Sequence, residues 1–321
     1  MTLAAAAEVT YQTVPLPQQI AIDPSGKQAL LIKGQAVTYP AGNDKMKRTA
    51  ALAGEYLSLT PQEAGKKAVP GVQLSLGLKS ENPEAYLITV DKKGIRIQGA
   101  SESGVFYGVQ TLRKSVMEEK GDTIRLPYAT VSDEPRFGYR GTMLDCARHF
   151  FPVSFVKEFI DILALHGVNR FHWHLTDDQG WRFEVKSLPE LAVKGSVRPC
   201  TVVGKNIGVG NAAGAIYDDT PETGYYTQEE MKEIVRYAEE RFITIVPEID
   251  LPGHMIAALS VYPELGCTGG PYNVWCRWGI AQDVLCAGNP KTLDFLHKVM
   301  DEVCEVFPGK LIHIGGDESP R

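Results

Sequence analysis

Three absences narrow the field. No run within the 321 residues reaches the roughly 18 consecutive apolar residues of a spanning helix, so no membrane span is expected. There is no basic block either. Lys and Arg total 33 against 39 Asp and Glu, a net charge of −6, and nothing gathers phosphate backbones or anionic lipid, so nucleic acid is not an expected partner. Cysteine is scarce. The six (146, 200, 267, 276, 286, 304) form no Cys-x-x-Cys motif, which argues against a zinc ribbon or a disulfide scaffold. Cys267, Cys276 and Cys286 do share one glycine-bearing stretch, where a bridge would close a short segment in an oxidising compartment. The opening Met1 to Ala7 is small and apolar, with no preceding positive charge and too short a core for a full signal peptide.

What remains, 44% hydrophobic and 22% charged with 31 Gly and 20 Pro, is an ordinary globular composition. At this length one large or two unequal domains are expected. The pattern changes near Ser132-Asp-Glu-Pro135, dividing the chain into 1–134 and 135–321. Upstream, Val72–Leu78, Ala85–Val90 and Gly94–Gln98 alternate like strands of a mixed or antiparallel sheet. Ser103–Arg113 carries apolar residues three and four apart, as a helix on that sheet would, and a second helix is expected over Asn43–Leu57. This part reads as a packing module without catalytic groups.

From Tyr139 strand-like runs alternate with amphipathic helices, the signature of βα units around a parallel sheet. Strands are expected at Tyr139–Asp145, Asn169–Leu175, Phe242–Glu248 and Lys310–Gly315, with helices at Ser154–His166, Gln228–Arg241 and Pro290–Phe307. Thr227 and Glu230 form a capping box; Asn289 and Pro290 open the last helix, whose inner face is expected to carry Leu293, Leu296, Met300 and Val303. Tyr139 to Arg321 is shorter than the ~250 residues of a closed (β/α)8 barrel, so only about its first half, ending after strand four, is expected here.

Polar residues collect after each strand: Asp145-Cys-Ala-Arg-His149, His172-Trp-His-Leu-Thr-Asp-Asp-Gln-Gly-Trp181, Pro247-Glu-Ile-Asp-Leu-Pro-Gly-His254 and His313-Ile-Gly-Gly-Asp-Glu318. That edge is where parallel barrels build active sites. Buried charges are costly unless paired or used, so four clusters in phase indicate a cleft. The sharpest is Asp317-Glu318 after a glycine pair, since adjacent carboxylates in a cleft resist ionising together and suit acid–base work. An acidic helix start is the alternative use of such a pair. His172 and His174 share one strand face, a spacing that suits a metal, as in barrel hydrolases, or a hydrogen-bonded pair; with no third ligand visible, no metal is expected. Trp181, Tyr217, Tyr225, Tyr226, Trp275 and Trp278 recur near the same edge and suit stacking on a sugar, at most two of them being assigned to it.

The runs His172–Arg182 and Glu248–His254, and above all His313–Glu318, resemble β-N-acetylhexosaminidases of glycoside hydrolase family 20. Gly104-Val-Phe-Tyr-Gly-Val-Gln-Thr-Leu112 resembles the end of the small α/β domain that precedes the barrel in that family. The resemblance implies exo-acting release of terminal N-acetylhexosamine from an oligosaccharide or glycoconjugate. The substrate's own acetamido group would attack C1, giving an oxazoline-type intermediate and net retention. It implies that Glu318 is the acid and then the base, that Asp317 holds the acetamido N–H, and that Arg148 grips non-reducing-end hydroxyls. Asp177, His254 and Asp250 would form the polar network behind the acid. No cofactor is implied, and a periplasmic or secreted location is. A metal-dependent barrel hydrolase and a non-catalytic sugar-binding protein on the same fold are the alternatives.

Overall fold

The structure, a computed structural model, describes residues 9–65, 69–117, 119, 121–204 and 215–319. The chain forms two compact units. One comprises Met1–Arg140, Asp161–Asn169 and Glu240–Phe242; the other comprises Gly141–Ile160, Arg170–Glu239 and Ile243–Arg321.

In the first unit the elements run β1 (Gln19–Ile22), β2 (Gln28–Ile32), β3 (Ala36–Tyr39), α1 (Asp44–Leu57), β4 (Thr60–Glu63), β5 (Gly71–Leu76), β6 (Tyr86–Asp91), β7 (Gly94–Gly99), α2 (Glu102–Val116), β8 (Thr123–Pro127) and β9 (Ala129–Asp133). Seven strands make one sheet in the order β1-β9-β6-β7-β5-β3-β4, and β2 pairs with β8. The sheet is mixed: β3, β4, β5 and β7 are joined by parallel pairings, β6, β9 and β1 by antiparallel ones. Asn43 caps α1 by accepting the Met46 N–H at 3.0 Å. Helix α2 buries Val105, Phe106, Val109 and Leu112 completely. Its glycines explain the Gly104–Leu112 motif: a Cβ at Gly104 would stand 2.2 Å from the Ala85 carbonyl oxygen, and one at Gly108 would stand 2.5 Å from Ile97. Only a bare backbone lets the helix lie this close to β6 and β7.

The second unit contains β10 (Gly141–Asp145), most of α3 (Val153–Leu165), β11 (Arg170–His174), β12 (Thr176–Asp177), β13 (Gly180–Trp181), α4 (Glu190–Val193), α5 (Gln228–Glu239), β14 (Thr244–Glu248), α6 (Ile256–Leu259) and α7 (Pro290–Val306). Strands β10, β11 and β14 are parallel neighbours. The capping box forms as expected, with Glu230 accepting the Thr227 N–H at 2.8 Å and Thr227 Oγ1 accepting the Glu230 N–H at 3.2 Å.

Two expectations need correction. Lys310–Gly315 is not a strand. It meets β14 at a single parallel bridge, Glu248 to His313, and then turns away because Gly315 and Gly316 adopt φ of +62° and +89°. In α7 the buried row is Thr292, Phe295, Val299, Val303 and Val306, while Leu293 is 59% exposed. Both rows have helical spacing, and periodicity alone does not choose between rows one residue apart.

Candidate active site

Strand register explains why the sequence clusters converge. Asp145 pairs with His174, His174 with Glu248, and Glu248 with His313, so four polar residues form one lateral row across the C-terminal edge of the sheet. Phe171 and Trp173 alternate to the other face and are wholly buried, leaving His172 and His174 on the polar side.

Beyond this row the chain builds a continuous relay. Glu318 Oε2 lies 3.1 Å from His254 Nε2, and His254 Nδ1 lies 3.1 Å from Asp177 Oδ1. Asp178 adds a second carboxylate, Oδ2 at 3.3 Å from the same Nδ1. Asp177 has no exposed side-chain surface and serves three cations at once, since its Oδ2 also meets His174 Nε2 at 2.8 Å and Arg148 Nη2 at 2.7 Å. Arg148 is held in turn by Asp145 Oδ2 at 2.7 Å and Gln179 Oε1 at 3.1 Å. At the mouth, Asp317 and Glu318 keep 60% and 50% of their side-chain surface exposed, free to meet a ligand. Asp317 Oδ2 stands 3.7 Å from His254 Nε2.

These contacts set the electrostatics. Asp177, hydrogen-bonded to the ring, and then Asp178, a second carboxylate 3.3 Å away, outweigh burial and push the His254 imidazole up to about 11. Burial opposes charge on His174, yet bonds to Asp177 and Glu248 overcome it and push it up to about 9. Burial would raise Asp177, but His174, His254 and Arg148 hold it down to about 2. Asp250 behaves oppositely: burial, then the facing Asp317, pushes it up to about 7. Asp250 also fixes the acid-bearing turn, because its Oδ1 accepts the Gly316 N–H at 3.2 Å. A Cβ at Gly315 would lie 1.7 Å from that same oxygen. The glycine there serves this close approach.

His172, His174 and Glu248 present ligand atoms within 4.8 Å of one another. However, Glu248 Oε2 is 2.5 Å from His172 Nε2 and 2.6 Å from His174 Nδ1. Two ligands of one ion with bonds of about 2.1 Å stand roughly 3 Å apart or more, so these contacts are a hydrogen bond at His172 and an ion-pair approach at His174, and of the two uses open to the His-x-His strand the geometry fits the hydrogen-bonded one.

Several aromatic side chains expected at the edge lie elsewhere. Trp181 and Tyr226 are fully buried, their polar atoms bound to the Phe183 and Phe151 carbonyls, so they belong to the core. Trp275 stays near the site, its backbone N–H donating to the Asp178 carbonyl at 2.9 Å. With Tyr217, Tyr272 and Arg277 it lines an open cleft of about 370 Å³.

The same residues fall within known sequence families. The model for the glycosyl hydrolase family 20 catalytic domain matches residues 137–321, and that for domain 2 of the family matches residues 10–134. The chain belongs to glycosyl hydrolase family 20. It is 41% identical to a beta-hexosaminidase of Porphyromonas gingivalis over 87% of this chain and 34% of that protein. It is 44% identical to a beta-hexosaminidase of Vibrio furnissii over 74% of this chain and 38% of that protein. The chain thus spans little more than a third of these curated relatives. Among solved structures, Streptomyces plicatus N-acetyl-beta-hexosaminidase in complex with Thio-NAglucal superposes with a TM-score of 0.83 at 32% identity, covering 97% of this chain and 60% of that one. The fold is therefore the family's α/β TIM-barrel type with an N-terminal domain.

Within this family 20 chain, Glu318, Asp317, Arg148, Asp177, His254 and Asp250, all singled out from sequence, are gathered at one site. Sequence reasoning quoted Asp145, Asp178, Gln179 and Glu248 within the clusters and gave them no role. Their signal was the register, since each ends or follows a parallel strand.

Proposed function

We propose that the protein carrying this chain is an exo-acting, retaining β-N-acetylhexosaminidase that releases terminal non-reducing GlcNAc or GalNAc from glycans. In this reading Glu318 protonates the leaving glycosidic oxygen and then deprotonates the water that opens the intermediate. The substrate's acetamido oxygen is the nucleophile. Asp317 orients the acetamido N–H and offsets the positive charge that develops as the oxazoline ring forms. Arg148, fixed by Asp145 and Asp177, presents its guanidinium to the hydroxyls of the terminal sugar. Residues 135–321 are the N-terminal part of the barrel, and 1–134 a non-catalytic α/β domain. The Cys200–Cys276 and Cys267–Cys286 thiol contacts support a periplasmic or secreted location.

One observation carries this reading: the Asp177–His254–Glu318 relay, with a contact of 3.1 Å at each step, ends on a half-exposed carboxylate beside Asp317. Such an arrangement holds a proton-transferring carboxylate at a fixed point, with Asp317 beside it to orient the acetamido group. Glu318→Gln in the complete protein tests it on an aryl N-acetylglucosaminide. The expected loss in kcat is about 100- to 10,000-fold, the usual range for a general acid–base. Unchanged hydrolysis, inversion at the anomeric carbon, or equal turnover of a plain glucoside overturns the proposal, and inactivation by a chelator would point to metal chemistry instead.

A further inference from the structure

The relay does not stop at Asp177. His174 stands behind it with both ring nitrogens facing carboxylates, Nε2 at 2.8 Å from Asp177 Oδ2 and Nδ1 at 2.6 Å from Glu248 Oε2. Only 5% of its side chain is exposed, so water does not replace either partner. Nε2 is hydrogen-bonded to Asp177, whereas Nδ1 lies at ion-pair distance from Glu248 without hydrogen-bond geometry, and a carboxylate on each side of the ring favours the imidazolium cation. Glu248 is itself surrounded, with His172 Nε2 at 2.5 Å and His313 Nδ1 at 3.0 Å. Its carboxyl is held well below the usual carboxylate range by His172 and His174, against the opposing effect of burial.

We propose that His174 is a positioning residue for the acid–base, a link between two carboxylates that pins Asp177 Oδ2 so that Oδ1 stays aimed at His254. The network behind Glu318 would then extend across two more strands, to Glu248 and its histidines. This inference rests on the reading of Glu318 as the acid. The division of labour on Asp177 supports it. Oδ2 is shared by His174 and Arg148, whereas Oδ1 takes His254 and the Asp178 N–H, the latter at 2.7 Å. Without His174, Oδ2 keeps only the guanidinium, and the carboxylate is free to swing toward the more exposed Arg148.

The charges around His174 fix the direction of its pH response. Asp177 on β12, Asp250 after β14, Glu248 on β14 and Asp145 on β10 face it and favour the cation. Arg148, with Nη1 3.4 Å from Nε2, opposes it, as does His172 when protonated on the same strand. Anions prevail, and the imidazole is pushed up to about 9. The clamp is therefore complete across neutral pH and is lost as pH rises through about 9.

Two measurements test this. In the 321-residue chain, nitrogen-15 NMR of the histidine rings should show both His174 nitrogens protonated at neutral pH. Glu248→Gln should lower its titration midpoint by one unit or more. A neutral His174 at pH 7, or a midpoint unmoved by Glu248→Gln, overturns the proposal whatever the catalytic role of Glu318. In the complete protein, His174→Gln keeps one N–H donor and removes the charge. The alkaline limb of kcat/KM should then move upward by about half a pH unit, since one positive charge behind the acid is gone. His174→Gln with Glu248→Gln removes charges of both signs and should bring the limb most of the way back. A packing role predicts lower kcat in both variants with no movement of the limb, and that result would also overturn the proposal.

Discussion

Replacing Asp177 by asparagine removes a single buried charge on which three cations depend. The side chain is isosteric, so packing is preserved, while Arg148, His174 and His254 lose the carboxylate they share. Breaking a buried ionic contact from one side costs about 3–5 kcal/mol, because the remaining charge is left uncompensated. The two imidazoles can escape part of that cost by releasing protons, so we expect a loss of about 3 kcal/mol near pH 6. In the parent, His174 is raised to about 9 and His254 to about 11. A raised imidazole stabilises the fold fully below its unfolded value of about 6.5 and stops doing so as pH passes the folded value. Asp177, held down to about 2, contributes fully above its unfolded value of ~3.9 and is lost on acidification through about 2. The gap between parent and Asp177→Asn should therefore be widest from about pH 4 to 6.5 and should shrink through pH 9 toward 11. Urea unfolding followed by tryptophan fluorescence reads this directly, because all four tryptophans (173, 181, 275 and 278) lie in the unit that holds the site. A gap of constant size from pH 5 to pH 10, or no gap at all, would refute the reasoning.

Two further predictions concern the frame of the site. Gly315→Ala places a Cβ 1.7 Å from Asp250 Oδ1 at a φ of +62°, so the turn must move; a loss of about 2–3 kcal/mol is expected by the same unfolding assay. Gly316→Ala, with nothing within 4 Å of the added carbon, should cost only about 1 kcal/mol for its positive φ, and equal losses in the two variants would contradict the steric argument. Burial and then the neighbouring Cys276 raise the Cys200 thiol, and burial and then the neighbouring Cys286 raise that of Cys267. Mild oxidation followed by peptide mapping should yield Cys200–Cys276 and Cys267–Cys286 bridges, whereas a Cys267–Cys276 bridge would show that the loop is arranged differently.

The amino-acid sequence by itself determined the five long helices and six of the fourteen strands among the described residues, and it picked out the residues that gather at the candidate site. Helix caps such as Asn43, Thr227 with Glu230, and Asn289 act on their immediate neighbours, and residue alternation on a strand assigns faces without outside help. Motif recognition then supplied Asp317, Glu318, Arg148, Asp177, His254 and Asp250. Local pattern gave no means of judging which of two adjacent rows of α7 turns inward, or whether Trp181 and Tyr226 face a sugar or the core. It also left Lys310–Gly315 reading as a strand, although its pairing depends on a neighbour and not on its own residues. Tertiary structure alone decided how the charges are shared. His174, Glu248 and Asp145 come from three separate strands, and only parallel register sets them in one row. Electrostatic coupling depends on distance through space, and spacing along the chain carries no measure of it.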